Sequence, residues 1–220
     1  SESNEFFVRW SHAQDAKARP GSRFSANVNI GTRNNFTNNL NSFTQDYLTN
    51  TFQSAISYSS SLPGTPFNFN TAARHTQNTR TGAFNLTLPD VAFNMSRQYL
   101  FKSFGSIGNE WWRGIYKNFG VSYSGNATNQ LSTNDTLVSL NNLGNLTQDF
   151  RNGLKHSIPI STSFKLLKHA TISPSLNATD IWVFETVRKS VDSLNVLDID
   201  TISGFERGGR FNFSTALTTK

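Results

Sequence analysis

The sequence has no cysteine, no long apolar run and little charge. Without cysteine the chain can form neither disulfide bonds nor cysteine-ligated metal sites. No apolar run is long enough to cross a membrane as a helix. Charged residues make up only 15% of the chain, whereas the surface of a soluble domain usually carries more. The composition therefore argues against a conventional soluble domain.

Motifs for chemistry are also scarce. The four histidines, His12, His75, His156 and His169, are dispersed and lack the paired spacing of metal ligands on one element. The sequence contains no glycine-rich phosphate loop and no Gly-x-Ser-x-Gly elbow. We therefore expect no catalytic residue, no cofactor and no metal, and we expect that the protein is not an enzyme.

The net charge of +6 would attract anionic partners, including phosphorylated lipids. Surface loops alone could carry this charge, so it does not identify a site. We expect membrane lipid and no nucleic acid among the partners.

Apolar residues alternate with small polar ones, mostly Asn, Ser and Thr, over eight segments. These predicted strands cover residues 23–30, 52–60, 67–76, 84–95, 119–127, 154–164, 171–178 and 210–217. Each has about the length that crosses a bilayer at a tilt. Aromatic residues such as Trp10, Tyr58 and Phe67 lie near strand ends, where rings favour the headgroup level. The pattern predicts an all-β fold, an antiparallel transmembrane β-barrel with lipid outside and a wet lumen.

Short and long connections alternate along the chain. Short turns are predicted at residues 15–21, 62–66 and 165–169, and long connections at 33–50, 129–152 and 181–209. Residues 78–82 and 98–117 depart from this alternation. Outer-membrane barrels have short periplasmic turns, long extracellular loops and an even strand number. About nine strands, no leader-like start and a last strand that continues to the final residues predict an incomplete piece of a larger barrel.

Strand parity predicts which residues face the lumen and which face lipid. The predicted lumen residues are Arg23, Asn27, Asn29, Asn68, Asn70, Arg74, Asn126, Lys155, Asn177, Arg210 and Asn212. The predicted lipid-facing residues are Phe24, Phe69, Val121, Ile158, Leu176 and Phe211. The cations Arg23, Arg74, Lys155 and Arg210 are candidates to contact phosphates of a passing glycolipid. A solvated lumen charge is the alternative.

Pro159 and Pro174 lie in neighbouring predicted strands, and folding that hairpin about its middle predicts that they are nearly opposite each other. Each lacks a backbone N–H and removes one rung of the ladder. One hypothesis is a weakened seam that lets the wall deform while lipid passes. The alternative is a pair of bulges that shape barrel curvature.

An ordered series of segments resembles a known family. The segments are HAQDAKARPGSRFSA at 12–26, PGTPF at 63–67, ARHTQN at 73–78, NLTLPD at 85–90 and HSIPISTSFK at 156–165. From about residue 8 onward the chain is similar to the lipopolysaccharide-assembly protein LptD of the outer membrane, as it occurs in Bacteroidetes. The resemblance provides no match for the cysteines of proteobacterial relatives, and no site residue transfers from it.

The resemblance implies a function and its partners. It implies insertion of lipopolysaccharide into the outer leaflet, a plug lipoprotein inside the barrel and a periplasmic lipid-transport bridge. Residues 1–220 would all belong to one barrel domain, with the periplasmic jellyroll domain outside this chain. The strand pattern alone equally allows a porin or nutrient transporter, and less readily a soluble β-sandwich or adhesin module.

Overall fold

The fold is an antiparallel sheet with very little helix. The computed structural model describes residues 7–31, 51–103, 110–138, 143–146, 149–166, 169–191 and 197–219. Its strands are β1 (Phe7–Ala13), β2 (Ser22–Gly31), β3 (Thr51–Ser61), β4 (Phe67–Asn78), β5 (Ala83–Tyr99), β6 (Gly120–Asn134), β7 (Arg151–Ser161), β8 (Phe164–Leu166), β9 (Ala170–Val191) and β10 (Leu197–Thr219). Helix α1 (Glu110–Lys117) precedes β6, and a 3-10 helix (Asp135–Leu137) and α2 (Leu143–Leu146) follow it.

The strands follow one another in a single ten-stranded sheet. The order is β1-β2-β3-β4-β5-β6-β7-β9-β10, and the three-residue β8 pairs with β9 beside this path. Among the described residues β1 and β10 do not pair with each other, so the sheet is open. This confirms the predicted all-β antiparallel class and is consistent with part of a barrel. No helix within the described ranges is long and apolar enough to cross a membrane.

The chain divides into two compact units. Unit 1 comprises Ser1–Ser61, Asn70–Val91 and Ala127–Asn152, and unit 2 comprises Leu62–Phe69, Ala92–Asn126 and Gly153–Lys220. In unit 1, Phe52 is fully buried and its ring centroid lies 6.0 Å from that of Phe7. His75 is buried 4.8 Å from the Phe84 ring. Unit 1 therefore has a small aromatic core of its own.

In unit 2, α1 packs closely on the segment that joins β7 to β8. A Cβ built on Gly114 would lie 3.0 Å from the Phe164 Cβ, so only glycine allows this approach without a shift. The Thr162 hydroxyl donates to the Ile115 carbonyl at 2.5 Å. Arg97 donates to two backbone carbonyls, one after α1 and one at the end of β7. These contacts hold α1 against β5, β7 and β8 within unit 2.

Two short turns, the predicted one at residues 62–66 and another at residues 78–82, each have a local cause. Between β3 and β4 the Thr65 N–H donates to the Leu62 carbonyl at 3.1 Å, with Gly64 at φ +74°. A type II turn requires such a φ, which glycine adopts without strain. Between β4 and β5 the Asn78 side chain accepts from two following backbone N–H groups at 3.0 Å.

The predicted long connection over residues 181–209 is wrong. β9 continues to Val191 and β10 begins at Leu197, and the two pair along this length. The register shifts between Ser203 and Glu206, which explains why simple alternation failed to reveal the strand. The connection over 129–152 is also shorter than predicted, because β6 runs to Asn134. The predicted connection over 33–50 lies outside the described residues.

Candidate functional site

Over the stretch Lys155–Pro159 and its partners in β9 and β10, one face of the sheet carries mostly uncharged polar side chains and two cations. Residues directly opposite each other in an antiparallel pair share a face. The register puts Ser157 opposite Thr179, and Thr179 opposite Arg210. Alternation then defines the polar face of unit 2, which in these strands comprises Lys155, Ser157, Pro159, Ser175, Asn177, Thr179, Ile181, Arg210, Asn212 and Ser214. Four predicted lumen residues therefore share one face.

The other face of the same strands is largely apolar. This apolar face of unit 2 includes Ile158, Ile160, Leu176, Ala178, Phe211, Phe213 and Leu217. Phe211 is 76% exposed and Phe213 68% exposed. Leaving such side chains in water costs about 1.5–3 kcal/mol each relative to burial. The structure therefore places the predicted lipid-facing residues Ile158, Leu176 and Phe211 on one face, and their contact with lipid stays a prediction.

Neutral polar side chains of unit 2 form hydrogen bonds with one another. Ser157 donates to the Asn177 side-chain oxygen at 3.0 Å, and the hydroxyls of Ser175 and Ser214 are 2.7 Å apart. A second row runs across β4, β5 and β6. In it Asn94 donates to Asn68 at 3.1 Å and accepts from Ser124 at 2.7 Å. Such bonds leave the surface wettable without placing net charge on it.

Lys155 and Arg210 are the cations of this polar face. Lys155 lies opposite Ile181 on one side of β9, and Arg210 lies opposite Thr179 on the other side. Two ladder steps separate their strands by about 10 Å. Both are exposed, and in the part of the chain that the structure describes neither forms an ion pair. Arg210 also lines an open cleft of about 410 Å³ with Asn177, Thr179, Phe211 and Asn212.

The other two predicted cations lie in unit 1 and differ from each other. Arg23 is exposed on β2 opposite Ser59, on the face where the Ser25 and Ser57 hydroxyls are 2.8 Å apart. Arg74 on β4 forms an ion pair with Asp90 on β5. The structure therefore places Lys155 and Arg210 on one face of the sheet and pairs Arg74 with Asp90.

The prediction that Pro159 and Pro174 lie opposite each other is wrong. Pro159 pairs with Asn177, and Pro174 pairs with Thr215 on β10. The Thr162 N–H donates to the Pro174 carbonyl at 3.2 Å, but Pro174 has no N–H to return the bond. This position coincides with the break between β7 and β8 at residues 162–163. The register continues unchanged from β7 to β8, and it places the partner of Pro159 three residues beyond Pro174.

One constellation was not predicted. Tyr123, His156, Trp182, Asp180 and Arg207 form a connected network on the same side as the apolar face. The sequence carries no signal for it, because its members come from four strands and meet only through the register. Within the described ranges no group of His, Asp or Glu is arranged to hold a metal ion.

Comparison with known proteins gives one match. A sequence model of the family described as LptD protein matches residues 1–220. No curated protein matches the chain, and no solved structure matches it. The match supports the family and does not test the Bacteroidetes subtype, which stays a prediction.

Proposed function

Because the chain belongs to the LptD protein family, we propose that it forms part of an outer-membrane β-barrel that inserts lipopolysaccharide into the outer leaflet. The family is one of transport and assembly, so no catalytic residue is assigned. Residues 1–220 would form one section of the barrel wall, with the jellyroll domain elsewhere in the same protein. The plug lipoprotein and the periplasmic lipid-transport bridge are the proposed partners.

The two faces of unit 2 support this role. Lipopolysaccharide is an amphiphile with sugars and phosphates at one end and acyl chains at the other. The polar face offers hydroxyl and amide groups to sugars, and Lys155 and Arg210 offer charge to phosphates. The apolar face offers Ile158 and Phe211 to membrane lipid. A porin would have similar faces, so the family match is the observation that carries the proposal.

Controlled depletion of the protein in its native bacterium tests this function. We expect lipopolysaccharide at the cell surface, measured by antibody binding to intact cells, to fall as the protein is lost. Unrelated outer-membrane barrels should remain folded and heat-modifiable in gels during the early hours, which separates export from general envelope damage. Normal surface lipopolysaccharide in depleted cells would contradict the proposal.

Lys155 and Arg210 provide the residue-level test. We expect the double variant Lys155→Gln with Arg210→Gln to lower the rate of surface delivery about tenfold, because a hydrogen bond to a charged group contributes roughly 1.5–3 kcal/mol. The matched control is Arg188→Gln with Lys189→Gln, which removes the same charge from exposed positions of β9 beyond the last pair with β7. Equal effects of both double variants would indicate a general charge effect and not a contact on the polar face.

A further inference from the structure

A chain of hydrogen bonds and one aromatic ring contact crosses unit 2 on the side of the apolar face. The Tyr123 hydroxyl lies 2.7 Å from Nδ1 of His156, whose ring centroid is 4.6 Å from that of Trp182. The Trp182 indole N–H donates to the Asp180 carboxylate at 2.8 Å. Arg207 Nε lies 2.9 Å from both oxygens of the same carboxylate. Five side chains from β6, β7, β9 and β10 are thus joined.

The register fixes the side on which this network lies. His156 is opposite Asp180, and Arg207 is opposite Trp182. These positions alternate in step with Ile158, Ala178 and Phe211, not with the polar face. An ion pair on a lipid-facing side is expected only near a membrane boundary, because a cation at the bilayer midplane is strongly destabilising.

Its position along β9 removes most of that cost. Asp180 is the eleventh residue of the strand counted from Ala170, and about 9–11 residues cross the bilayer. Because consecutive strands run in opposite directions, the β9–β10 connection and the short turn before β4 lie at opposite ends of the sheet. Since short turns of such barrels face the periplasm, the network lies at the outer boundary. A charged side chain is far less destabilising at this boundary than at the midplane.

Arg207 retains unused hydrogen-bonding capacity. Its side chain is 66% exposed, whereas that of Asp180 is 22% exposed. Within the described residues only Nε bonds to the carboxylate, which leaves both terminal NH₂ groups for another ligand. Such a planar fork suits a phosphate, and the carboxylate limits the conformations that the guanidinium can adopt.

The surroundings of Arg207 favour the phosphate of a lipid over a free phosphate. Phe205 contacts Trp182 and Phe184, each with centroids 5.9 Å apart, and aromatic rings favour the headgroup level. Farther along the same face lie Phe211 and Phe213, both largely exposed. An acyl chain of a phosphorylated glycolipid can cover these rings while the phosphate of the same lipid reaches the Arg207 guanidinium.

We infer that Arg207, held by Asp180, binds the phosphate of a phosphorylated glycolipid in the outer leaflet, from outside the barrel wall. The inference rests on the proposed membrane setting. It is separate from the passage of lipid along the polar face, because Lys155 and Arg210 lie on the other side of the sheet.

The test uses the full gene product purified in detergent. Native mass spectrometry would measure binding of a bisphosphorylated lipid A, its dephosphorylated form and inorganic phosphate. We expect Arg207→Gln to weaken binding of the bisphosphorylated lipid about tenfold, the effect of losing a bond between charged groups. Arg207→Lys, which keeps the charge and loses the fork, should weaken it less. Arg188→Gln, the same charge change in the same hairpin, should leave it unchanged.

Folding is checked by heat-modifiable mobility of each variant. If Arg207→Gln folds and binds the bisphosphorylated lipid as tightly as the wild type, the inference is overturned. Arg207-dependent binding of inorganic phosphate with equal or greater affinity would also overturn it, in favour of a free-anion site. The depletion experiment is independent of both results. Loss of surface lipopolysaccharide on depletion, together with unchanged lipid binding by Arg207→Gln, would reject the inference and leave the proposed function standing.

Discussion

At the scale of single residues, asparagine and serine provide most of the polarity of the proposed lumen side. Asn94 is bonded to Asn68 and Ser124, so its carbonyl and amide groups are both used. A buried or half-buried amide that lacked such partners would cost about 1–3 kcal/mol. Because neutral groups satisfy one another, the exposed cations Lys155 and Arg210 stand out as the positions that can attract an anion.

The two prolines of β7 and β9 yield a residue-scale prediction. The weakened-seam proposal expects Pro159→Thr with Pro174→Val to slow surface delivery of lipopolysaccharide while barrel assembly stays normal. The physical reason is that each new N–H can add a rung to the ladder, and Pro174 faces the break between β7 and β8. Surface labelling after pulsed expression measures the rate.

Single variants refine this test. Pro174→Val alone supplies the N–H opposite Thr162, whereas Pro159→Thr acts opposite Asn177. Unchanged delivery by the double variant, at normal protein levels, would leave the prolines with only a role in shaping the strands.

At the scale of elements, alternation predicts which residues share a face wherever a strand is regular. Parity alone predicts that Lys155, Asn177 and Arg210 share one face, and the pairing of the strands places them there. The part of the β9–β10 hairpin nearest the connection between the two strands could not be predicted. A register shift between Ser203 and Glu206 disrupts the alternation of apolar and polar residues there. Cross-strand contacts such as that of His156 with Trp182 depend on register, which a single strand does not encode.

The absence of native cysteine allows single-cysteine labelling of the two faces. In membranes, a lipid-soluble thiol reagent should label Ile158→Cys and Phe211→Cys, and a water-soluble reagent should label Asn177→Cys and Asn212→Cys. The reason is that successive residues of a strand point to opposite faces. Adjacent positions 211 and 212 serve as each other's control, since they share depth and edge exposure. Equal labelling of both positions by the lipid-soluble reagent would contradict the assignment.

Docking of α1 gives a second element-scale prediction. Gly114→Ala should lower the thermal stability of the folded protein, because the new methyl group lies 3.0 Å from the Phe164 Cβ and overpacking costs about 1–3 kcal/mol. Gly144→Ala in α2 is the matched control, since a Cβ there meets nothing within 4 Å. Alanine favours a helix at both sites. A heat-modifiability midpoint that falls for Gly144→Ala and not for Gly114→Ala would refute the packing argument.

At the scale of the whole molecule, sequence reasoning reached the fold class and the family but not the full arrangement of charges. The low charge and the alternation of apolar with polar residues both reflect a sheet with one apolar and one polar side. Each strand shows these properties in its own sequence, without its neighbours. The pairing of Arg74 with Asp90 and of Arg207 with Asp180 could not be read in this way, because each partner comes from another strand. The separation of the chain into two units was not predicted either.

The open sheet leads to a prediction about residues 1–220 in isolation. Expressed alone in water, this polypeptide should not form a soluble monomer, because β1 and β10 each leave one edge unpaired within the described residues and the apolar face exposes Phe211, Phe213 and Leu217. Detergent micelles should increase its strand content, since they cover that face. Size-exclusion chromatography and circular dichroism, each with and without detergent, measure the two effects. A monodisperse monomer that unfolds cooperatively in urea without detergent would rule out a role as barrel wall, because such a chain would have buried its apolar face within itself.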